Sequence, residues 1–275
     1  MKAFSKKWLA VAAGLALSGA SALASHVPAL SFGAEQFRVD PSAVGEPNGP
    51  FFAGSISFDY RGIVNQTGGT PSTFTEDGSV FFTPFRTAVG GTSISPLVSG
   101  LEINYKLYAL FTATGTTTPN GAGGIDGLFN TFGVSFFVDK NLDTTFNAAG
   151  SRLPTAPTGG TGDDVLVLTG NLAVGGFHVF SGLANGDFDV QFNVTGFGGT
   201  SFFSTTADGQ RLTQGDLNGV NTTLIGVVPP PGSFRNAEID GSGNNTFQSV
   251  PEPTSLALVG IALVGGALAR RKAQA

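Results

Sequence analysis

The chain has 275 residues, no cysteine and a formal charge of −5 at pH 7. Six of its 14 basic residues lie before residue 25 or after residue 269, whereas all 19 acidic residues lie between these two segments, which leaves the middle part at −11. A charge of this sign repels nucleic acid and anionic lipid head groups, and a chain without cysteine forms no disulfide framework. We therefore expect no nucleic-acid partner.

The first 24 residues have the three regions of a secretory signal peptide. Three lysines lie within the first seven residues, an apolar stretch covers residues 8–17, and small residues follow. Ala22 and Ala24 fit the small-x-small rule of signal peptidase, which predicts that the mature chain begins at Ser25. An uncleaved membrane anchor is the alternative, but the apolar core is too short to span a bilayer. The chain is therefore expected to be exported.

Residues 25–228 are dominated by a period-2 pattern of apolar and polar side chains, which predicts half-buried β-strands. In residues 187–194, for example, Phe188 and Val190 alternate with Asp187 and Asp189. Glycine-rich turns separate the strands, and this arrangement favours an all-β exported domain built as an antiparallel β-sandwich or jelly roll. The predicted strands cover residues 54–62, 79–86, 101–112, 131–139, 164–170, 175–182, 187–194 and 222–228.

Asp139, Asn141 and Asp143 have a D-x-N-x-D spacing just after a predicted strand. Hard oxygen ligands at alternate positions can wrap Ca²⁺, so these residues are the candidate metal site, and calcium is the single cofactor that the sequence suggests. Position six of the loop is Thr144 rather than glycine, and position twelve is Gly150 rather than glutamate, which excludes an EF-hand loop. A polar turn that binds no metal is the alternative.

Residues suited to catalysis are sparse. His178 lies among aromatic residues on a predicted strand, where a sheet-face histidine is more common than a catalytic base. Asp187 and Asp189 share one strand face about 6.6 Å apart, which is close to the separation of the two carboxylates in inverting glycosidases. Alternating aspartates on a solvated face are nevertheless common, and we expect no enzyme activity. Tyr108, on the polar face of its strand, is the aromatic residue best placed to stack on a sugar, but we expect a surface or core role for it rather than stacking.

Residues 229–250 are rich in Pro, Gly, Ser and Asn, a composition that predicts a tether. The uncharged run 254–269 follows, and as a helix it would be about 24 Å long, a little shorter than a bilayer core. The basic residues Arg270, Arg271 and Lys272 come directly after this run and mark its cytoplasmic end. We therefore predict a transmembrane helix, and a buried helix of the globular domain is the alternative.

Pro251, Glu252 and Pro253 stand between the tether and the apolar run. The two prolines hold this tripeptide extended, as a processing enzyme requires. The Pro-Glu-Pro motif, the short apolar run and the basic end over residues 251–272 resemble the PEP-CTERM sorting signal. The resemblance implies a Gram-negative bacterium that makes exopolysaccharide, an exosortase as partner, and cleavage near Pro251–Pro253. The protein would be held transiently in the inner membrane before it reaches the cell surface or the extracellular matrix.

Three phrases of the exported domain, at residues 105–116, 136–146 and 163–170, resemble the flocculation-associated PEP-CTERM proteins. This resemblance implies a non-enzymatic protein that supports flocculation or biofilm aggregation, with the exopolysaccharide matrix as its partner. It supplies no catalytic residues. A lectin-like carbohydrate-binding module is the first alternative, and a glycoside hydrolase is the second.

Overall fold

The computed structural model describes residues 36–67, 71–121, 123–151, 153–180, 186–204, 212, 214–227 and 235–248. These residues are nearly all β, which confirms the predicted class. A 3-10 turn covers Pro41–Val44, and a one-turn helix, α1, covers Pro96–Ser99. The strands are β1 (Phe37–Val39), β2 (Phe51–Ala53), β3 (Ser55–Thr67), β4 (Ser72–Arg86), β5 (Lys106–Pro119), β6 (Ile125–Asp139), β7 (Val165–Val179), β8 (Gly186–Gly196), β9 (Phe203–Ser204), β10 (Gln214–Val227) and β11 (Arg235–Gln248).

Eight strands form a closed antiparallel barrel in the order β10-β11-β3-β4-β5-β6-β7-β8, and β8 pairs back to β10. The predicted sandwich or jelly roll is therefore wrong. Closure pairs the backbone groups that two open sheets would leave exposed at their edges. Two predicted strands, at 164–170 and 175–182, fall largely within one strand, β7, which ends at Val179. Its pairing with β8 continues across a register shift between Leu172 and Val174.

The predicted tether is also wrong over most of its length, because Arg235–Gln248 is strand β11 and pairs with both β10 and β3. The glycines in this segment allow close packing. A Cβ atom at Gly241 would overlap the backbone carbonyl of Val220 and the ring of Tyr60, and one at Gly243 would overlap a backbone carbonyl of β10. The Gly/Ser/Asn composition therefore reflects a crowded strand, since glycine admits a neighbouring backbone that no other residue would.

Phenylalanine rings fill the core of the barrel. Phe82 stacks on Phe136 with ring centroids 5.1 Å apart, and Phe136 lies 6.0 Å from Phe192. The small sheet β2-β1-β9 packs onto the end of the barrel that carries Phe247, and its Phe37 ring lies 5.0 Å from that of Phe247. Edge-to-face and stacked pairs of this kind add to the free energy gained by burying the rings. Buried phenylalanines thus supply the core of a domain that has no cysteine.

The predicted strand 101–112 begins only at Lys106. Residues 101–105 form a turn, in which Glu102 has a φ of 64° and Ile103 is 47% exposed. The alternation of apolar and polar residues continues through this turn in the sequence, but the left-handed backbone at Glu102 is incompatible with a strand.

Several predicted segments lie outside the described residues. They are the signal peptide at 1–24 with its cleavage site at Ala22, Ala24 and Ser25, and the sorting segment 251–272. Within the part of the chain that the structure describes, no helix is long and apolar enough to cross a membrane.

Candidate functional site

Exposed polar side chains cover part of the outer surface of strands β3–β6, on the side opposite the phenylalanine core. They follow from the period-2 pattern, in which inward positions such as Phe74 alternate with outward positions such as Thr75. Threonine suits the outward positions because its β-branched side chain favours extended backbone while its hydroxyl group stays in water. We call this surface the threonine face, and its exposed uncharged polar residues include Asn65, Thr67, Thr73, Thr75, Thr112, Thr114 and Thr131. The exposed Asp77 lies on the same surface, opposite Thr112.

The threonine face is ordered by the barrel register. Asn65, Thr75, Thr114 and Thr131 lie opposite one another on four successive strands, so their backbones repeat about every 4.8 Å across the sheet. The hydroxyl oxygens of Thr114 and Thr131 lie 2.7 Å apart and share a hydrogen bond. Each hydroxyl group can both donate and accept. The face therefore offers a regular array of hydrogen-bonding groups, most of them uncharged, to a hydroxyl-rich polymer.

Tyr108 lies on another part of the outer surface, beneath the segment that connects β6 and β7. Phe146 packs edge-on against the Tyr108 ring at 5.2 Å, and Phe137 stacks on it at 5.3 Å. The Tyr108 hydroxyl group donates a hydrogen bond of 2.5 Å to Asp164, and the residue is only 4% exposed. Burial and then the bond to Asp164 raise the pKa of Tyr108 well above its ordinary value. The ring is therefore packed and not available to stack on a sugar, which agrees with the structural role that the sequence favoured.

The predicted calcium residues lie at the start of the same connecting segment. Asp139 is fully buried, and its two carboxylate oxygens accept hydrogen bonds from the backbone N–H groups of Asp143 at 3.2 Å and Thr144 at 3.1 Å. Asn141 and Asp143 are exposed. Aspartate commonly closes a local turn in this way. Because the turn accounts for the spacing by itself, calcium binding at Asp139, Asn141 and Asp143 stays a prediction.

The predicted catalytic candidates lie on the outward face of the β7–β8 pair. His178 Nδ1 is 2.5 Å from Asp126 Oδ1, and Asp187 lies opposite His178 across the two strands. Asp189 instead shares a hydrogen bond with Asp216 on β10. Asp187 and Asp189 therefore face different neighbours on the convex side of the barrel, an arrangement that lends no support to a pair of glycosidase carboxylates flanking a bond.

Asp216 is the residue of this region that the sequence patterns did not identify. It is 6% exposed, and burial together with the Asp189 carboxyl group raises the pKa of Asp216 to about 8. A D-x-N pattern at 216–218 was visible in the sequence. Its position beside residues 189–191 becomes visible only with the register of β8 and β10.

A second buried acid, Glu76, points into the barrel from β4. It is 8% exposed and lies over Gly62, where a Cβ atom would overlap its carboxylate. Nearby, the Gln66 amide group donates hydrogen bonds to Ser72 and, at 2.7 Å, to Thr117. Burial, with a smaller contribution from Asp77, raises the pKa of Glu76 to about 7. The barrel interior therefore holds a carboxyl group that keeps its proton to a higher pH than an ordinary glutamate does.

The variant Glu76→Gln tests this assignment through pH dependence. The pKa of Glu76 is about 7 in the folded protein and 4.5 in the unfolded chain. Between these two values the folded state holds a proton that the unfolded state has lost, so the free energy of unfolding of the wild type falls as the pH rises. A shift of roughly 2.5 pKa units corresponds to about 3 kcal/mol. We expect the free energy of unfolding of Glu76→Gln, relative to wild type, to rise by about this amount between pH 4.5 and 8. An unchanged difference in denaturant titrations would place Glu76 in water.

Comparison with protein-family models matches residues 249–272 to the PEP-CTERM protein-sorting motif. No curated protein and no solved structure matches the chain. The matched range contains the Pro-Glu-Pro tripeptide, the apolar run and the basic end that the sequence analysis singled out. Among the described residues, no group of three or more His, Cys, Asp or Glu side chains is placed to hold a metal ion. The chain thus carries a PEP-CTERM signal, which implies a secreted protein that is membrane-anchored until an exosortase cleaves it.

Proposed function

We propose that this protein is a non-enzymatic component of the exopolysaccharide matrix of a Gram-negative bacterium, where it supports flocculation and biofilm aggregation. Signal peptidase removes residues 1–24, and an exosortase acts near Pro251–Pro253. The mature barrel then binds matrix polysaccharide through the threonine face.

The observation that carries this proposal is the PEP-CTERM motif at residues 249–272. It supports export and exosortase processing, and therefore a place of action outside the cell. The acidic middle part of the chain, at −11, fits a protein that works among hydrated polymers rather than on nucleic acid or anionic lipid.

The threonine face supports the choice of a polysaccharide as partner. Sugars present hydroxyl groups at short intervals, and hydroxyl and amide side chains can donate to them and accept from them. Thr75, Thr114 and Thr131 are exposed and lie in one transverse row. Each single contact is weak in water, so useful retention depends on many repeats along one polymer.

The test is complementation of a deletion strain. Wild-type protein should restore settling of flocs and should fractionate with the exopolysaccharide. The triple variant Thr75→Ala, Thr114→Ala and Thr131→Ala should leave several-fold more protein in the medium. The matched control replaces the same three residues with serine, because it also removes the methyl groups but keeps the hydroxyl groups, and it should behave like wild type.

A deletion strain that flocculates like its parent would contradict the proposed function. If deletion abolishes flocculation but the alanine triple variant is fully retained, the function stands and another surface binds the matrix. Circular dichroism and the melting temperature of each variant exclude loss of the fold as the cause.

A further inference from the structure

Four oxygen-bearing side chains meet on the outward face of strands β8 and β10. The register places Asp189 opposite Asn218 and Gln191 opposite Asp216. Residues two apart on a strand share a face, so the four side chains occupy the corners of one small patch. Asp189 and Asp216, diagonal neighbours in this patch, share a hydrogen bond between their carboxyl groups. We call these four residues the β8–β10 patch.

Two of the four residues of the patch, Asp216 and Gln191, are buried and have polar atoms without hydrogen-bond partners. Asp216 is 6% exposed, and its Oδ1 atom has no hydrogen-bond donor. Gln191 is 4% exposed, and its Nε2 atom has no acceptor. An unsatisfied polar atom at this depth costs roughly 1–3 kcal/mol. Two such atoms on facing residues therefore destabilise the fold unless another group binds to them.

No basic side chain compensates the two carboxyl groups from the neighbouring positions in register. On β7, Gly176 lies opposite Asp189 and Val174 opposite Gln191. On β11, Thr246 lies opposite Asp216 and Asn244 opposite Asn218. All of these neighbours are uncharged, so no described residue in register with the patch balances the charge of its carboxyl groups.

We propose that the β8–β10 patch binds a divalent cation of the calcium class, with Asp189 and Asp216 as carboxylate ligands and the side-chain oxygens of Asn218 and Gln191 as neutral ligands. Calcium takes six to eight oxygen ligands, tolerates irregular geometry and accepts water in the remaining positions. A half-turn of the Gln191 amide group brings Oε1 to the place of the unsatisfied Nε2. The Asn218 amide, whose Nδ2 donates to Asp216 Oδ2 at 3.4 Å, turns in the same way to offer its oxygen.

Cation binding replaces the hydrogen bond between the two carboxyl groups. That bond requires one proton, which leaves to solvent as the cation arrives, and both carboxylates then coordinate the ion. The site differs from the one predicted at Asp139, Asn141 and Asp143, and it does not rest on the proposed role in the matrix.

The experiment uses the full chain in detergent at pH 8, after removal of metals with a chelator. Calcium chloride should raise the melting temperature by about 5–10 °C once free Ca²⁺ reaches 100 times its Kd, and calorimetric titration should give one site. Asp216→Asn should abolish both effects. Asp187→Asn, which removes a carboxyl group from the same face of β8 as Asp189 but outside the patch, should keep them.

Three results would overturn the proposal: no calcium-dependent shift in wild type up to 10 mM, the same shift in Asp216→Asn as in wild type, or loss of the shift in Asp187→Asn to the same extent. Asp189→Asn guards against a folding defect at the more buried position, and it should also lose calcium binding. A shift that disappears only with a variant of Asp139 would assign calcium to the connecting segment instead.

Discussion

Removal of residues 235–248 is expected to abolish the folded barrel, although these residues have the composition of a linker. Strand β11 pairs with β10 on one side and β3 on the other, so its loss opens the barrel and exposes two long edges. It also removes Phe247, which is 2% exposed and contacts the rings of Phe37 and Phe192. Truncation of one such ring alone costs about 3–5 kcal/mol.

The sharpest form of this experiment replaces residues 235–248 with a Gly/Ser segment of the same length. A tether would tolerate the replacement, whereas a strand would not, because the new segment lacks Phe247 and the buried Glu238. We expect loss of the cooperative thermal transition and rapid digestion by a protease. Deletion of residues 249–275 is the control, and it should leave the melting temperature within a few degrees. A Gly/Ser variant that melts like wild type would mean that β11 is dispensable.

Many of the strands could be predicted from the sequence alone, but the closure of the barrel could not. Period-2 alternation identified β8, the first part of β3 and the last parts of β4 and β6, because a half-buried strand needs little beyond that pattern. The role of residues 235–248 was hidden because glycine, serine and asparagine are read as loop formers. At Gly241 the missing side chain instead makes room for the Tyr60 ring, and that contact joins residues distant in sequence.

The candidate site shows the same limit. Tyr108 has the sequence context of an exposed ring, but Phe146 arrives from a connecting segment and covers it. Asp139 has the spacing of a metal ligand, yet its carboxylate closes a turn through two backbone N–H groups. Asp216 could not be paired with Asp189 before the register was known. In each case a local pattern has two physical meanings, and a tertiary contact decides between them.

Substitution of Arg61 by methionine is expected to destabilise the barrel by about 3–5 kcal/mol, because it leaves the buried Glu238 carboxylate without its partner. Arg61 Nε lies 2.5 Å from Glu238 Oε1, and the two side chains are 4% and 0% exposed. The connecting segment closes over this pair: the Arg61 guanidinium donates to the Leu153 carbonyl at 2.7 Å, and the Gly150 N–H donates to Glu238 at 2.7 Å. Without Arg61, the Glu238 carboxylate keeps little compensation for the water it lost.

Two further variants distinguish the effect of leaving Glu238 unpaired from the effect of losing any arginine on the free energy of unfolding. Arg61→Met combined with Glu238→Gln removes both charges and should recover most of the stability, because the cost lies in the unpaired ion rather than in the missing bond. Arg38→Met breaks a more exposed pair with Asp40, at 2.8 Å and with side chains 26% and 13% exposed, and should cost under about 1 kcal/mol. Denaturant titration of the four proteins measures these differences. If Arg61→Met and Arg38→Met cost the same, water reaches Glu238 and the connecting segment does not seal the pair.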